Sequence, residues 1–564
     1  MIDPKISKRS FLRLTAQGAA ILATAQIARP NSDPVSPKVT PWVQPLPIPP
    51  VAQPTTGPLS PAFDGTTNDG QACQHVSEYP PQKFYEINVG LGTHQFHPAL
   101  PANQPCFSYS QPGLNKAGIG LPGPTFKAKY GQPIAVRFRN NFPATIRGNG
   151  INQTAIHLHN MHSASESDGY PLDYVTAGHY RDHHYSMVTA GQTLSGFRDS
   201  REVLNTLWYH DHRIDFTAAN VYQGLFGFFL AFDDYDNDDE TFADPTGKAL
   251  NLPSGKYDIP MAFSDPQFDS SGALYWDPMN TDGHVGDSFA VNGKAYPYLN
   301  VERRKYRFRI LDLGPSRYYE LFCNIATATD KPGKDVPFKV ISVDGNLRGS
   351  PIDLSSLHMT PGNRFDVVMD FSQFATGTVL YIENRAEQMN GRGPTGHILS
   401  PGSGRMLKII VGQDPATPDV SRVPEVLRPQ YPALTQADLD AAVKRSFELS
   451  RNNGVWTING EIMDPDKPAF TTTGGQPELW TLIGKGGWHH PMHTHFEEGI
   501  VVSRDGGPPL PEERDQHKDV IDVAPGEVVR VYYRGFRDFK GRYVMHCHNN
   551  VHEDHAMMFR FDVV

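Results

Sequence analysis

The stretch His546-Cys547-His548-Asn549-Asn550-Val551-His552-Glu553-Asp554-His555-Ala556-Met557, close to the C-terminus, decides how the rest of the chain is read. A thiolate, a following imidazole and a downstream thioether in this order suit a copper ion held by two His, one Cys and a weak axial Met. Along an extended strand successive side chains point to opposite faces, so His546 and His548 both face away from whatever Cys547 binds. One residue then touches a redox metal while its two neighbours offer nitrogen to a different metal group. The pattern reads as wiring between two sites.

Three other segments supply His in alternation: His157-Leu158-His159, His210-Asp211-His212 and His490-Pro491-Met492-His493-Thr494-His495. In a chain with 23 His a single His-x-His is weak evidence and reads equally well as structural. Four such clusters, bringing ten His, one Cys and one Met together, point to a multi-ion centre.

The four segments resemble the ligand signatures of the multicopper oxidases. Trp208-Tyr209-His210-Asp211-His212, Asn220-Val221-Tyr222-Gln223-Gly224-Leu225, Trp488-His489-His490-Pro491 and His552-Glu553-Asp554-His555-Ala556-Met557-Met558 resemble the bacterial spore-coat laccase and bilirubin oxidase branch, and the similarity extends over roughly residues 80–564. The resemblance implies four copper ions. His490, Cys547, His552 and axial Met557 would hold type-1 copper, and His157 and His493 type-2 copper. The type-3 pair would take His212, His495 and His546 on one ion and His159, His210 and His548 on the other. It also implies a laccase-like activity: four one-electron oxidations of phenolic, aromatic amine or bilirubin-like donors at type-1 copper, coupled to reduction of one O2 to two waters. A Met at the axial position, rather than the Leu or Phe of some relatives, suggests a lower potential.

Water formation needs protons, so carboxylates near the cluster are expected. Asp168, in Ser167-Asp168-Gly169-Tyr170, and Glu553 match acidic residues close to the trinuclear site of the family; each would relay protons or orient a ligand imidazole. Without the resemblance they read as a turn Asp and a solvated Glu. Trp488 resembles an aromatic beside the type-1 site that shapes the donor pocket, with a packed core Trp as the plain alternative. Glu497 and Glu498 take no role. The run His179-Tyr180-Arg181-Asp182-His183-His184 matches no ligand signature and is expected as a surface loop, an accessory metal or substrate site being the alternative.

Gly (50) and Pro (49) are abundant, helical periodicity is scarce and short alternating runs recur, which argues for an all-β chain of sandwiches. Ile134, Val136 and Phe138 alternate with Ala135 and Arg137; Tyr306, Phe308 and Ile310 alternate with Arg307 and Arg309. Each pattern puts one face in a core and the other toward polar surroundings. A faint repeat of a turn Gly before a strand, at Gly131, Gly362 and Gly526, fits the three consecutive cupredoxin-like Greek-key β-sandwich domains that the resemblance implies. The expected division is an export signal over 1–30, a Pro-rich tether over 31–70, domains over 71–236, 237–415 and 446–564, and a linker over 416–445 carrying a short helix near Ala433–Leu439. Ligands come from the first and third domains, the middle one acting as spacer and pocket wall.

Ser7-Lys8-Arg9-Ser10-Phe11-Leu12 is close to a twin-arginine signal, with Lys8 where the first Arg would stand, and Ala23-Thr24-Ala25 offers a cleavage site. Export to the periplasm or outside the cell is expected. Residues 34–61 hold ten Pro, an extended and mobile tether by composition. No segment is long and apolar enough for a membrane span. Cys73 and Cys106 can bridge in an oxidising compartment with Cys323 buried and free, the choice of two partners among the three staying open. A net charge of −10 argues against nucleic acid as a partner. Besides O2, the partner is then a small organic reductant or a metal ion.

The competing functions are a metal oxidase acting on Cu(I), Mn(II) or Fe(II), and a copper-free structural protein of the same fold. Fourteen scattered Met give no Met-rich insert of the kind that favours Cu(I), and the complete ligand set argues against the copper-free reading. Two-domain copper nitrite reductases lack the paired His-x-His segments.

Overall fold

The computed structural model describes residues 33–114, 120–146 and 148–564; the expected signal at 1–30 lies outside them. The described chain is mostly β, 38% strand and 6% helix. Its strands form six sheets that pack as three successive pairs. In the first pair, the sheet containing Lys83–His94, Ile134–Asn140 and Tyr180–Tyr185 covers the sheet containing Ile156–His159, Thr206–Asp211 and Phe226–Phe232. Ile87, Val136 and Phe138 meet Ile156, Leu158, Tyr209 and Phe229 between them. The second pair spans 258–411, with Phe308, Ile310 and Val367 against Leu321, Ile382 and Ile409. The third spans 443–563, with Trp480, Leu482 and Val531 against Met492, Met545, Cys547 and Phe561.

The turn glycines of the repeat have φ of 80° (Gly131), 92° (Gly362) and 81° (Gly526), left-handed values that side chains disfavour. The strands Ile134–Asn140, Arg364–Asp370 and Val528–Tyr533 follow them. The short helix expected in the linker forms over Gln436–Ala441, capped reciprocally by Thr435 and Asp438.

The polar faces of the alternating strands do not meet solvent. Arg137, Arg307 and Arg309 are buried. Arg137 donates through Nε and Nη2 to both carboxylate oxygens of Asp182 at 2.7 Å. Arg307 pairs with Asp236 and Asp366 at 2.7 and 2.6 Å. Arg309 pairs with Asp258 and also donates to Thr206 Oγ1 of the first sandwich at 2.8 Å. Arg309 thus joins two sandwiches, while Arg137 pairs across its own sheet beneath Pro61; on both, a planar fork satisfies two carboxylate oxygens at once.

Three other expectations change. The Pro-rich stretch is extended but not free. Gln44 Nε2 donates to Phe96 O and Ala295 O, Pro45 bridges Tyr298, Val51 bridges Thr125, and Leu46, Ala52 and Leu59 are buried. It is a strap across the first two sandwiches. Cys73 and Cys106 do not bridge: both are buried free thiols that burial pushes up to about 12. The run at His179 is not a surface loop, since Tyr180–Tyr185 is a strand in which Arg181 through Tyr185 are buried. Asp182 pairs with Arg137, and His183 Nδ1 and His184 Nε2 meet the carbonyls of Ser167 and Tyr79. No helix among the described residues is long and apolar enough to cross a membrane.

Removing one partner of the Arg137–Asp182 pair leaves a buried charge. Arg137→Met is expected to cost about 3–5 kcal/mol of unfolding free energy, and adding Asp182→Leu to recover most of it. Urea unfolding of both variants checks this; an equal loss in the two would refute it.

Candidate metal centre

Strand register places the ligand candidates. Ile156–His159 and Thr206–Asp211 pair so that His157 opposes His210 and His159 opposes Trp208. All four therefore share one face, while Ile156 and Leu158 enter the core. In the third sandwich His490–Thr494 pairs with Gly541–Cys547, Met492 opposing Cys547 and His493 opposing His546. His490 Nδ1 lies close to the Cys547 sulfur, while His493, His495, His546 and His548 converge with the imidazoles of the first sandwich.

Among the described residues, four triads of His and Cys have ligand atoms within 4.8 Å of one another, His490–Cys547–His552, His212–His495–His546, His159–His210–His548 and His157–His159–His493, and a fifth group joins Asp168 to His157 and His495. At the first, His490 Nδ1 and His552 Nδ1 lie 3.7 and 3.6 Å from Cys547 Sγ. Met557 is fully buried in the same apolar cluster, and its carbonyl accepts from the Cys547 N–H at 3.0 Å.

Oxygens on the far side of several rings show what the near side does. His157, His210 and His493 point Nδ1 at the backbone carbonyls of Asp168, Asp211 and Asp519, at 2.5, 2.8 and 2.9 Å. His495 Nδ1 meets Asp168 Oδ2 at 2.7 Å, and His212 and His546 Nδ1 lie 3.4 and 3.2 Å from Glu553. A carbonyl or carboxylate only accepts, so these Nδ1 atoms carry the protons and each Nε2 presents a bare lone pair. Yet Nε2 of His212, His495 and His546 approach one another to 3.1–3.2 Å. Three lone pairs at that distance repel unless a cation sits among them. Nitrogens about 2.0 Å from one metal at tetrahedral angles would stand about 3.3 Å apart. Nε2 of His210 and of His548 is buried without a hydrogen-bond partner among the described residues, as a ligand atom awaiting a metal requires.

Burial also keeps the rings neutral. It lowers His210 to about 4 and His212 and His490 to about 3, and holds His157, His159, His493, His495, His548 and His552 well below the usual range. Neutral imidazole and thiolate are the donor set that copper accepts.

Both acids expected from the sequence are in the site, at 1% exposure each, and neither is a solvated turn residue. Burial raises the Asp168 carboxyl well above the ordinary range. Glu553 is also desolvated, but the imidazoles of His546 and His212 and the Thr217 hydroxyl pull it well below. Asp168 is carried by the turn Ser165–Asp168, and the His179–His184 run buttresses that turn. His183 Nδ1 meets Ser167 O, and His184 N donates to Ser167 Oγ, both at 3.0 Å.

Trp488 is half-buried and does not stack on a ligand ring; it stands edge-on to Trp456 at 5.1 Å. Trp456, which the sequence reading missed, lies over His552 with ring centroids 3.8 Å apart. Asp519 was also missed: its Oδ2 lies 2.6 Å from His159 Nε2 and its Oδ1 accepts from Arg364 Nη1 at 2.7 Å. Nothing in Val455-Trp456-Thr457 or Lys518-Asp519-Val520 marks them, since both reach the site only by packing. Glu498 is buried and accepts from Asn160 and Asn346.

Family models described as multicopper oxidase match residues 115–235 and 434–564. The chain is 33% identical to a bilirubin oxidase of Albifimbria verrucaria, covering 94% of this chain and 82% of that protein. It is 30% identical to a laccase of Haloferax volcanii over 99% of this chain and 91% of that one. Among solved structures, a variant of the McoA multicopper oxidase of Aquifex aeolicus aligns with a TM-score of 0.71 at 25% identity, over 92% of this chain and 99% of that one.

Gly169 follows Asp168 at φ 89°, and a Cβ there would lie 2.2 Å from Ile156 O and 2.5 Å from the His157 Cα. Gly169→Ala should push the Asp168 turn off its imidazoles and weaken bound copper about 10-fold or more. Metal analysis after chelator competition checks this; wild-type retention would refute it.

Proposed function

Because the chain belongs to the multicopper oxidases, we propose the residue roles and the donor face through which it works. The protein is a laccase-like oxidase using four coppers, one type-1, one type-2 and two type-3. When bound, those ions supply one-electron oxidation of a donor and reduction of O2 to water. His490, Cys547, His552 and Met557 are assigned to type-1 copper and His157 and His493 to type-2. His212, His495 and His546 go to one type-3 ion and His159, His210 and His548 to the other. The observation that carries the trinuclear assignment is the convergence of the Nε2 atoms of His212, His495 and His546, with carboxylates behind their rings.

The remaining work belongs to the chain. Cys547 is covalently continuous with His546 and His548, so the thiolate and the two imidazole groups share one backbone path. Asp168 and Glu553 hold the Nδ1 protons of His495, His212 and His546. Both acids are read as orienting these imidazoles and relaying protons to the cluster. Asp519 holds His159.

The donor face is assigned to Trp488. His552 is fully buried and its outer nitrogen meets a carbonyl, so a donor does not reach that ring directly. Trp488 lies outside it, under the exposed Arg392 guanidinium at 4.5 Å, and leads through Trp456 to His552. An aromatic face under a guanidinium suits flat phenols, aromatic amines or bilirubin-like pigments. The three sheet pairs are read as cupredoxin-like domains over 71–236, 237–415 and 446–564. The segment 1–30 is read as a twin-arginine-like signal for export to the periplasm or beyond.

Cys547→Ser is expected to abolish the blue absorption and donor oxidation while three coppers remain on the imidazoles; retained oxidation would overturn the wiring. Asp168→Asn should lower oxygen consumption about 10- to 100-fold with the blue band intact. Trp488→Ala should lower turnover of a phenol, also with the band intact. Unchanged phenol oxidation would move the donor face elsewhere.

A further inference from the structure

The two imidazoles beside Cys547 are held differently. His490 Nε2 is buried without a hydrogen-bond partner among the described residues. His552 Nε2 lies 3.0 Å from the backbone carbonyl of Asp282, which belongs to the second sandwich. The Asn549 amide nitrogen also lies 3.2 Å from this Nε2, but the Asp282 carbonyl is the nearer partner and only accepts, so it favours the proton on Nε2 and the lone pair on Nδ1, the atom 3.6 Å from Cys547 Sγ. The correct tautomer of a ligand in the third sandwich thus depends on a loop of the second.

That loop is gripped from the third sandwich at three points. Arg451 Nη1 donates to Asp282 Oδ1 at 2.6 Å and Nη2 to Thr281 Oγ1 at 2.7 Å. Trp456 Nε1 donates to Thr281 O at 2.7 Å, and the same indole lies on the His552 ring. Arg451 also covers Trp456 at 4.8 Å. Behind the loop there is no slack: a Cβ at Gly283 would stand 2.7 Å from the Gly391 Cα.

We propose that Arg451 is a positioning residue for the type-1 site, clamping Thr281 and Asp282 so that the Asp282 carbonyl orients and polarises His552. The inference rests on the assignment of His552 as a type-1 ligand. The Arg451 and Asp282 side chains are 21% and 44% exposed, so their ion pair contributes little to stability. Its consequence is geometric: a bidentate guanidinium holds two residues of one turn in a way that a point charge does not. An acceptor on the outer nitrogen makes an imidazole a stronger ligand, which favours the oxidised ion.

The test uses the full copper-loaded protein. Arg451→Gln combined with Asp282→Asn removes the clamp without changing net charge, and Arg451→Lys keeps the charge but not the fork. In the double variant, type-1 copper should be held about 10-fold less tightly against a chelator. Its midpoint should rise in a spectroelectrochemical titration of the blue band, the other coppers should be retained, and thermal unfolding should be unchanged. Arg451→Lys should fall between wild type and the double variant in both readouts. A double variant with wild-type affinity and midpoint overturns the clamp while leaving the ligand assignment intact. A wild-type protein without a blue band overturns the ligand assignment and the clamp with it.

Discussion

The two-residue alternation of one strand organises both metal groups. Gly541–Cys547 pairs with His490–Thr494 in a register that sends Tyr543, Met545 and Cys547 into the apolar core. His546 then faces the seam with the first sandwich, and His548 continues the alternation beyond the strand. A slip of one residue would exchange every side chain between faces, putting imidazoles among Phe559 and Phe561 and the sulfur in the seam. The apolar residues flanking the ligands, more than the ligands themselves, hold the register that makes Cys547 the link between the two groups. Hydrophobic patterning therefore fixes the wiring before any metal binds.

The seam places another demand on the fold. Gathering eight imidazoles in a buried seam is tolerable only if they stay neutral and if each protonated nitrogen has an acceptor. Burial lowers the pKa values of His157, His159, His210, His212, His493, His495 and His548, and backbone carbonyls of Asp168, Asp211 and Asp519 accept three of the protons without adding charge. The carboxylates are themselves anchored, Asp519 by Arg364 and Glu553 by Thr217. The convergent lone pairs then remain as an unmet need that a set of cations fills, so metal binding and completion of the fold are linked.

Legibility followed sequence distance. The shared placing of candidate ligands within one strand was readable because a spacing of two fixes their face, and that of Asp168 and Glu553 because the family resemblance marks them. Trp456 and Asp519 were not, since their contacts with His552 and His159 exist only once sheets are stacked. The same limit explains the Arg137, Arg307 and Arg309 faces: alternation shows that a face is polar, not that another layer covers it. Composition made the Pro-rich segment extended but carried no information about the grooves that Leu46 and Ala52 enter. The His179–His184 run looked like a loop because it is polar; it is a strand because Asp182 and His183 find internal partners.

The second sandwich was expected to space the other two and wall the pocket, yet it reaches both groups of candidate ligands while, among the described residues, adding no member to them. Its Asp282 carbonyl meets His552. A Cβ at its Gly362 would press to 3.1 Å on the His548 ring, and its Arg364 fixes the carboxylate behind His159. Each contact acts on the outer side of a ligand, where orientation and tautomer are set. A passive spacer would need only surface complementarity. A domain whose backbone carbonyl, bare glycine and guanidinium each meet a ligand or its anchor constrains both groups together, so small rotations of the middle sandwich act on both. The division of labour is thus between domains that supply nitrogen and sulfur and one that holds them in register.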